Sequence, residues 1–172
     1  MPNHSTDYIP TEEELSMLPY RIYSHIFCGR VSKNHKITGV HHRFALTDKG
    51  GHFEIGDIRI IDRSKVMHKG GFYEAALECW NGEKWIEQKP GKQNSFFPDD
   101  WSIEKTMKEI AYARERLTID DWLSPGKSAR KSNSYLGKLS CGQPVLFMLG
   151  AKRVSPPKKL TRYFATVFPY FD

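Results

Sequence analysis

The sequence contains few of the features that mark membrane, secreted or repeat proteins. Its 172 residues include no uninterrupted apolar run of about eighteen residues, the length that a membrane-spanning helix needs. The start of the chain lacks a basic stretch followed by an apolar one, so we expect no secretory signal. Cys28, Cys79 and Cys141 are widely spaced and odd in number, which argues against a disulfide framework and favours a reducing cytoplasm as the site of action.

The composition is that of a folded domain with a basic surface. Hydrophobic residues make up 39% of the chain and aromatic residues 13%, which is too apolar for a disordered protein. We interpret residues 1–10 as a flexible segment and residues 11–172 as one domain, and we expect a monomer. The formal charge is 26 − 20 = +6, so we expect a polyanionic partner, nucleic acid first, and no membrane association.

Helical patterns occur near the start and in the middle of the chain. Thr11–Glu14 has the spacing of a capping box, and apolar residues then recur at spacings of three and four up to Ile26. Because Pro19 lacks an N–H and crowds the preceding turn, we expect two short helices here. The clearest helix runs from Ser102, a suitable N-cap, to Leu117.

Strand patterns occupy much of the remaining chain. Apolar and polar residues alternate, or apolar residues cluster, at 40–46, 72–80, 145–149 and 163–168. Asn81-Gly82 predicts a hairpin turn between Trp80 and Trp85. The polar segment 124–138 is interpreted as a long loop. These patterns together predict an α+β fold with a mainly antiparallel sheet.

Histidine is unusually concentrated, since four of the seven lie between residues 25 and 42. The residues alone leave three interpretations open: ordinary core or surface histidines, a zinc-binding interaction domain using His25, Cys28 and His41, or a general acid and base pair. Alternation along a strand would place His42 on the face opposite His41, so we expect His42 to make a structural contact.

Four blocks follow one another over most of the chain, from about residue 22 to 170. They are His25-Ile26-Phe27-Cys28-Gly29, then Gly39-Val40-His41, then Lys92 with Ser95-Phe96-Phe97-Pro98 and Trp101-Ser102, and finally Thr166-Val167-Phe168-Pro169. Their order and separation resemble the EndoU ribonuclease family, above all its bacterial toxin-type branch. The resemblance implies an α+β EndoU-like fold of the barnase, EndoU, colicin and RelE type, with N-terminal helices packed on antiparallel sheet and an active-site cleft.

The resemblance also implies catalytic roles. His25 matches the family's general acid, His41 its general base, and Lys92 the lysine that stabilises the phosphate. Lys92 lies three residues before Ser95, where some relatives have four, so Lys89 is the alternative lysine.

Three further residues match substrate-binding positions of the family. Ser95 corresponds to a position that contacts the uridine base, and Thr166 lies in the motif that lines the nucleotide pocket. Phe168 stands where many members have tyrosine, so it keeps the ring for stacking and lacks the hydroxyl. Basic residues between 127 and 162 would hold RNA phosphates.

The activity that the resemblance implies is endonucleolytic cleavage of single-stranded RNA, at uridines or in a tRNA. The 2′-OH attacks the phosphate and leaves 2′,3′-cyclic phosphate and 5′-OH ends, with no required cofactor or with Mn²⁺ as a stimulator only. Bacterial relatives further imply a secreted or delivered toxin that acts in the cytoplasm and is neutralised by a cognate immunity protein. The alternative function is a non-catalytic, basic RNA-binding module that retains the fold.

Overall fold

A computed structural model describes residues 22–46, 57–88, 92–123, 134–154 and 159–171. The chain divides into two compact units, one made of Tyr23–Met107 and one that contains the described residues from Lys108 onward together with Ile22. We call these the N-terminal unit and the C-terminal unit. Within the described ranges, no helix is both long and apolar enough to cross a membrane.

The N-terminal unit consists of short helical turns and eight short strands. A π-helix occupies Ser24–Cys28, and 3₁₀ turns occupy Arg43–Ala45, Asp62–Ser64 and Lys69–Gly71. The strands are β1 (Arg30–Val31), β2 (Ile37–Thr38), β3 (Ile58–Ile60), β4 (Val66–Met67), β5 (Tyr73–Ala75), β6 (Leu77–Trp80), β7 (Trp85–Glu87) and β8 (Asn94–Phe96). All pairs are antiparallel, in sheets of order β1-β2, β3-β6-β7 and β4-β5-β8.

The core of this unit takes its buried strand residues from β2, β3, β5, β6 and β8. Tyr73 on β5 and Phe96 on β8 stack with ring centroids 4.8 Å apart, and both are almost completely buried. The Tyr73 hydroxyl donates to Asp99 Oδ1 at 2.6 Å, so the polar end of this ring is satisfied inside the protein. This stacked pair fixes β8, the strand that carries Ser95, against the middle of its sheet.

The predicted central helix is confirmed as α1 (Ile103–Glu115). Ser102 Oγ accepts the backbone N–H of Lys105 at 3.0 Å, which is the N-cap interaction expected from the sequence. Thr106 adds a second bond, from its hydroxyl to the Ser102 carbonyl at 2.8 Å.

The C-terminal unit carries a four-stranded antiparallel sheet of order β12-β11-β10-β9. Its strands are β9 (Trp122–Leu123), β10 (Ser134–Lys138), β11 (Pro144–Val154) and β12 (Lys159–Pro169). The two apolar strands expected near the end of the chain are therefore present and longer than predicted. The register of β11 against β12 shifts between Met148 and Leu149, beside Thr166.

The α+β class and the antiparallel pairing are confirmed, as is the hairpin in which Trp80 pairs with Trp85. Two local predictions were wrong. Residues 43–45 form a 3₁₀ turn instead of a strand, because His42 caps the turn through its Nδ1, which accepts from the Phe44 N–H at 3.2 Å. Residues 134–138 form β10 instead of a loop, because pairing with β11 outweighs their polar composition.

The expectation of N-terminal helices packed on the sheet is not supported. The first of them, starting at Thr11, lies outside the described residues. The second is a π-helix of five residues, and the one α-helix among the described residues is α1, in the middle of the chain. Strands dominate the part of the fold that the structure describes.

Candidate active site

The π-helix Ser24–Cys28 carries His25 and ends at Gly29. The Gly29 N–H donates to the Ser24 carbonyl at 2.7 Å, a bond across five residues that widens the last turn. Gly29 has a φ of 70°, a left-handed conformation that glycine adopts without a steric penalty. Because the chain turns away here, the carbonyls of His25 and Ile26 accept from another segment. Single π turns are rare and are frequently found at functional sites.

The segment Gly39-Val40-His41 supplies those donors. The Val40 N–H donates to the His25 carbonyl at 2.8 Å, and the His41 N–H donates to the Ile26 carbonyl at 3.0 Å. A side chain at Gly39 would overlap the His25 carbonyl oxygen, so only glycine permits this approach. Val40 has a φ of 71°, which is rare for a β-branched residue and indicates local backbone strain.

Strand β8 holds the opposite side of His41. The Ser95 carbonyl lies 2.8 Å from His41 Nδ1, and the Phe97 N–H donates to the His41 carbonyl at 2.9 Å. The Asn94 side-chain amide donates to the carbonyls of Gly39 at 2.6 Å and Val40 at 3.1 Å. His41 is therefore fixed through its ring, its own backbone and the two residues before it, and it is only 7% exposed.

The two backbone segments bring the rings of His25 and His41 into contact. Their Nε2 atoms are 3.2 Å apart, and their ring centroids are 5.1 Å apart with an angle of 22° between the planes. Since a carbonyl oxygen only accepts, His41 Nδ1 carries a proton, and in the neutral ring Nε2 keeps a lone pair. A neutral His25 then donates its Nε2–H to that lone pair, so one proton lies between the rings.

Burial lowers the pKa of His25 from its ordinary value of 6.5 to about 4. The imidazolium form loses more hydration energy than the neutral ring when the side chain is removed from water. His25 is therefore neutral at physiological pH in the free protein. The site therefore places a basic nitrogen, His41 Nε2, next to an N–H donor, the Nε2–H of His25. General acid–base catalysis needs at least one proton acceptor and one proton donor of this kind.

His42 makes the structural contact expected from the sequence. Its Nδ1 accepts from the Phe44 N–H, so its Nε2 carries the proton and donates to the Trp101 carbonyl at 2.9 Å. Its ring stacks on Phe44 with centroids 4.8 Å apart. Burial lowers the pKa of His42, which keeps this completely buried ring neutral. His41 and His42 thus have separate tasks although they are adjacent.

No group of three histidine, cysteine or acidic side chains within the described ranges is arranged to hold a metal ion. His25, Cys28 and His41 are all described, and they form no such group. The zinc-binding interpretation therefore finds no support in the geometry of these three residues.

Strand β8 carries Ser95, and Lys92 precedes the strand by two residues. Lys92 is exposed and lies three residues before Ser95, whose carbonyl holds His41. The alternative lysine, Lys89, lies outside the described residues. The sequence predicted a substrate contact for the Ser95 side chain and gave no signal for the role of its carbonyl.

Thr166 and Phe168 lie on β12, in the C-terminal unit. Thr166 is 7% exposed, and its hydroxyl has no hydrogen-bond partner among the described residues. The Phe168 ring is 4% exposed, so little of its surface is accessible in this conformation. Lys127, Arg130 and Lys131 lie outside the described residues, as do the side chains of the basic residues between 152 and 162.

Asn94 is the site residue that the sequence did not indicate. It begins β8, and its amide reaches back to the carbonyls of Gly39 and Val40, 55 and 54 residues earlier in the chain. An asparagine ahead of an apolar strand is commonplace. Only the strained turn before His41 explains why an amide is needed here, and that turn is not visible in the sequence.

Comparisons with known proteins give one positive finding. No curated protein and no solved structure matches the chain. The model of the family described as bacterial EndoU nuclease matches residues 19–137, more than half of the chain. The match includes both histidines of the pair, Lys92 and Ser95, whereas Thr166 and Phe168 lie beyond it. Its two histidines are in contact because Gly39 lets the backbone pass close to the His25 carbonyl. The chain thus belongs to the bacterial EndoU nuclease family.

Proposed function

We propose that the protein is an endoribonuclease that cleaves single-stranded RNA by attack of a 2′-OH on the adjacent phosphate. The products are a 2′,3′-cyclic phosphate and a 5′-OH end. The observation that carries this proposal is the contact between His25 and His41, whose Nε2 atoms are 3.2 Å apart in a family of nucleases. RNA transesterification needs two proton transfers and no other covalent partner, and a histidine pair can provide both.

His41 is the general base of this reaction. Its Nδ1–H is directed at the Ser95 carbonyl, so its Nε2 lone pair is the group that can take the 2′-OH proton. The 2′-oxygen then forms a bond to phosphorus while the bond from phosphorus to the 5′-oxygen breaks. The protonated His41 is stabilised by the same carbonyl, because a hydrogen bond to a charged donor is stronger than one to a neutral donor.

His25 is the general acid, and its Nε2–H protonates the departing 5′-oxygen. Its pKa of about 4 belongs to the free protein, in which burial disfavours the charged ring. A phosphate next to the ring supplies a negative charge, which favours the imidazolium form and raises the pKa. The substrate thereby converts a neutral histidine into an acid only when a phosphate is present.

Lys92 stabilises the charge that develops on the non-bridging phosphate oxygens. It lies three residues before Ser95, a separation that an extended chain spans in at most about 11 Å. Lys92→Ala should lower the cleavage rate more than Lys92→Arg, because arginine keeps the positive charge. A larger loss in Lys89→Ala than in Lys92→Ala would transfer the role to Lys89.

Substrate selection is assigned to Ser95, Thr166 and Phe168. The buried Thr166 hydroxyl, which has no hydrogen-bond partner among the described residues, supports this, because a base or sugar could satisfy a group that is otherwise costly to bury. We expect uridine to be preferred and the target to be single-stranded, since protein groups reach base edges most readily in unpaired RNA. A tRNA loop can provide an unpaired uridine and is therefore a suitable target.

Membership of a bacterial nuclease family supports the remaining proposals. The protein is a toxin that acts on RNA in the cytoplasm of a target cell, and a cognate immunity protein neutralises it. Cleavage needs no metal, and Mn²⁺ stimulates at most. Excess EDTA should therefore leave most of the activity, and complete loss would show that an ion is required.

The test is cleavage of a labelled single-stranded oligonucleotide with analysis of the end groups. A set of DNA oligonucleotides, each with one ribonucleotide, shows both the need for the 2′-OH and the base preference. We expect cleavage after ribouridine, a cyclic phosphate on the upstream product, and no cleavage of all-deoxy controls. His25→Ala and His41→Ala should each abolish cleavage, because a proton transfer is lost in either variant.

His68→Gln is the matched control, because His68 pairs with Glu74 and glutamine can keep that hydrogen bond. Full activity of His41→Ala would refute its role as the base. Salt-sensitive RNA binding without any shortened product would establish the non-catalytic RNA-binding module instead.

A further inference from the structure

We infer that Asn94 is a positioning residue for His41, an inference that rests on the proposed RNA cleavage. Asn94 does not touch either histidine ring. Its side-chain amide donates to the carbonyls of Gly39 and Val40, the two residues directly before His41. The geometry assigns it the task of holding the turn that delivers the base.

This turn is strained and needs support from outside. Gly39 and Val40 have φ values of 82° and 71°, so two consecutive residues are in the left-handed region. Valine is disfavoured there because its β-branched side chain crowds the backbone. A strained backbone persists only where surrounding interactions hold it, and the cost is typically about 1–3 kcal/mol per residue.

The support comes from two sides. On one side, the carbonyls of His25 and Ile26 accept the N–H groups of Val40 and His41. On the other side, the side-chain nitrogen Nδ2 of Asn94 donates to both carbonyls of the turn, at 2.6 Å to Gly39 and 3.1 Å to Val40. Of these bonds, those from Asn94 are the only ones that use a side chain, and so a substitution can remove them selectively.

The chemistry of the contact requires an amide. Two carbonyl oxygens converge on one group, so that group must donate twice and carry no negative charge. Aspartate has nearly the same shape, but its carboxylate would repel both carbonyls. Because Ser95 follows Asn94 directly, the same residue pair fixes both the backbone before His41 and the direction of its ring.

A positioning role predicts a specific kinetic change. The His41 ring should lose its fixed direction when the turn relaxes, and a displacement of about 1 Å at a catalytic group can cost about 100-fold in rate. We expect Asn94→Asp and Asn94→Ala to lower kcat by about 10-fold to 100-fold. KM should change little, since the Asn94 amide is already engaged by the carbonyls of Gly39 and Val40.

The experiment combines this kinetic split with nitrogen NMR of the histidine rings in the free protein. In the wild type, His41 should be the Nδ1–H tautomer because of the Ser95 carbonyl. In both Asn94 variants it should become a mixture of tautomers. Asn94→Ser keeps a single donor and should fall between the wild type and Asn94→Ala in both measurements.

Asn81→Asp is the matched control. Asn81 uses only its side-chain oxygen, which accepts the N–H groups of Glu83 and Lys84 at 2.9 Å and 2.8 Å. Aspartate can accept both bonds, so this variant should keep the wild-type kcat and the His41 tautomer. The same chemical change is therefore tolerated at residue 81 and harmful at residue 94.

Two results would overturn the inference: wild-type kcat in Asn94→Ala, or reduced kcat with the His41 tautomer unchanged. Because the tautomer is measured without RNA, the NMR measurement is independent of the proposed function. If the wild type cleaved no RNA, the proposed function would fail, and the NMR comparison would still decide whether Asn94 orients His41.

Discussion

Gly39 offers the sharpest test of how the backbone assembles the histidine pair. In Gly39→Ala, the new Cβ would overlap the His25 carbonyl oxygen and lie 3.2 Å from the carbonyl carbon and 3.3 Å from Gly29 Cα. All three atoms belong to the backbone, so no side chain can rotate away to relieve the overlap. The π-helix and the Gly39-Val40-His41 segment must separate.

The size of the effect follows from these contacts. A carbon atom and a carbonyl oxygen rest about 3.3 Å apart or more, so the two segments must shift by about 1 Å. The left-handed conformation costs alanine about 1–2 kcal/mol, and weakening the bond from Val40 to His25 costs about 1 kcal/mol more. We expect the free energy of unfolding to fall by about 2–4 kcal/mol. The cleavage rate should fall by about 100-fold.

Chemical denaturation measures the first quantity and cleavage of labelled RNA the second. Gly82→Ala is the control, because Gly82 has a φ of 99° in the β6–β7 turn and a Cβ there would meet nothing within 4 Å. It isolates the conformational cost of alanine from the cost of the overlap. If Gly39→Ala lost no more stability than Gly82→Ala and cleaved RNA at the wild-type rate, the backbone approach would not govern the site.

Three further predictions concern stability. Between pH 6.5 and about 4 the unfolded chain protonates His25 while the folded protein does not. The free energy of unfolding should therefore decrease by up to about 3 kcal/mol as the pH is lowered through this window. A pH titration of denaturant unfolding in which His25→Gln showed the same slope as the wild type would contradict this. Tyr73→Phe removes the buried bond to Asp99 and should cost about 1–3 kcal/mol in thermal unfolding, whereas Tyr112→Phe on an exposed ring should cost almost nothing. The Gln88 side chain accepts from the Ile37 N–H and donates to the His35 carbonyl. Gln88→Glu should destabilise the protein more than Gln88→Met, because the glutamate buries a negative charge beside the His35 carbonyl oxygen. Equal denaturation midpoints of the two variants would refute this.

Elements with a strong local signal were predictable from the sequence. The helix after Ser102 combines a capping residue with an apolar stripe, and the hairpin at Asn81-Gly82 has the residues that its turn requires. The segment 40–46 misled, because its alternation is typical of a strand while His42 and Phe44 instead form a capped 3₁₀ turn. Local pattern failed where one side chain bonds to the backbone two residues away.

The site was predictable as a set of residue types and only partly as an arrangement. The histidines could be identified because four matching blocks follow one another along the chain. Their contact depends on Gly39 lying against the His25 carbonyl and on a turn in which Val40 has a positive φ. Such tertiary approaches leave no periodic trace in a sequence, which is why Asn94 and the Ser95 carbonyl were missed.

The distance between the histidines also indicates what substrate binding must change. In an in-line displacement, the base and the acid act on oxygen atoms on opposite sides of phosphorus, so nitrogen atoms 3.2 Å apart cannot perform both transfers. One ring must move when the phosphate enters. His41 is held at Nδ1 by the Ser95 carbonyl. We therefore expect the His25 ring to turn, so that its Nε2–H leaves His41 and donates to the phosphate instead. Adding an uncleavable 2′-deoxy dinucleotide should therefore shift the ring nitrogen signals of His25 more than those of His41. The opposite order would mean that the base moves, and the fixed direction of its ring would then have no part in catalysis.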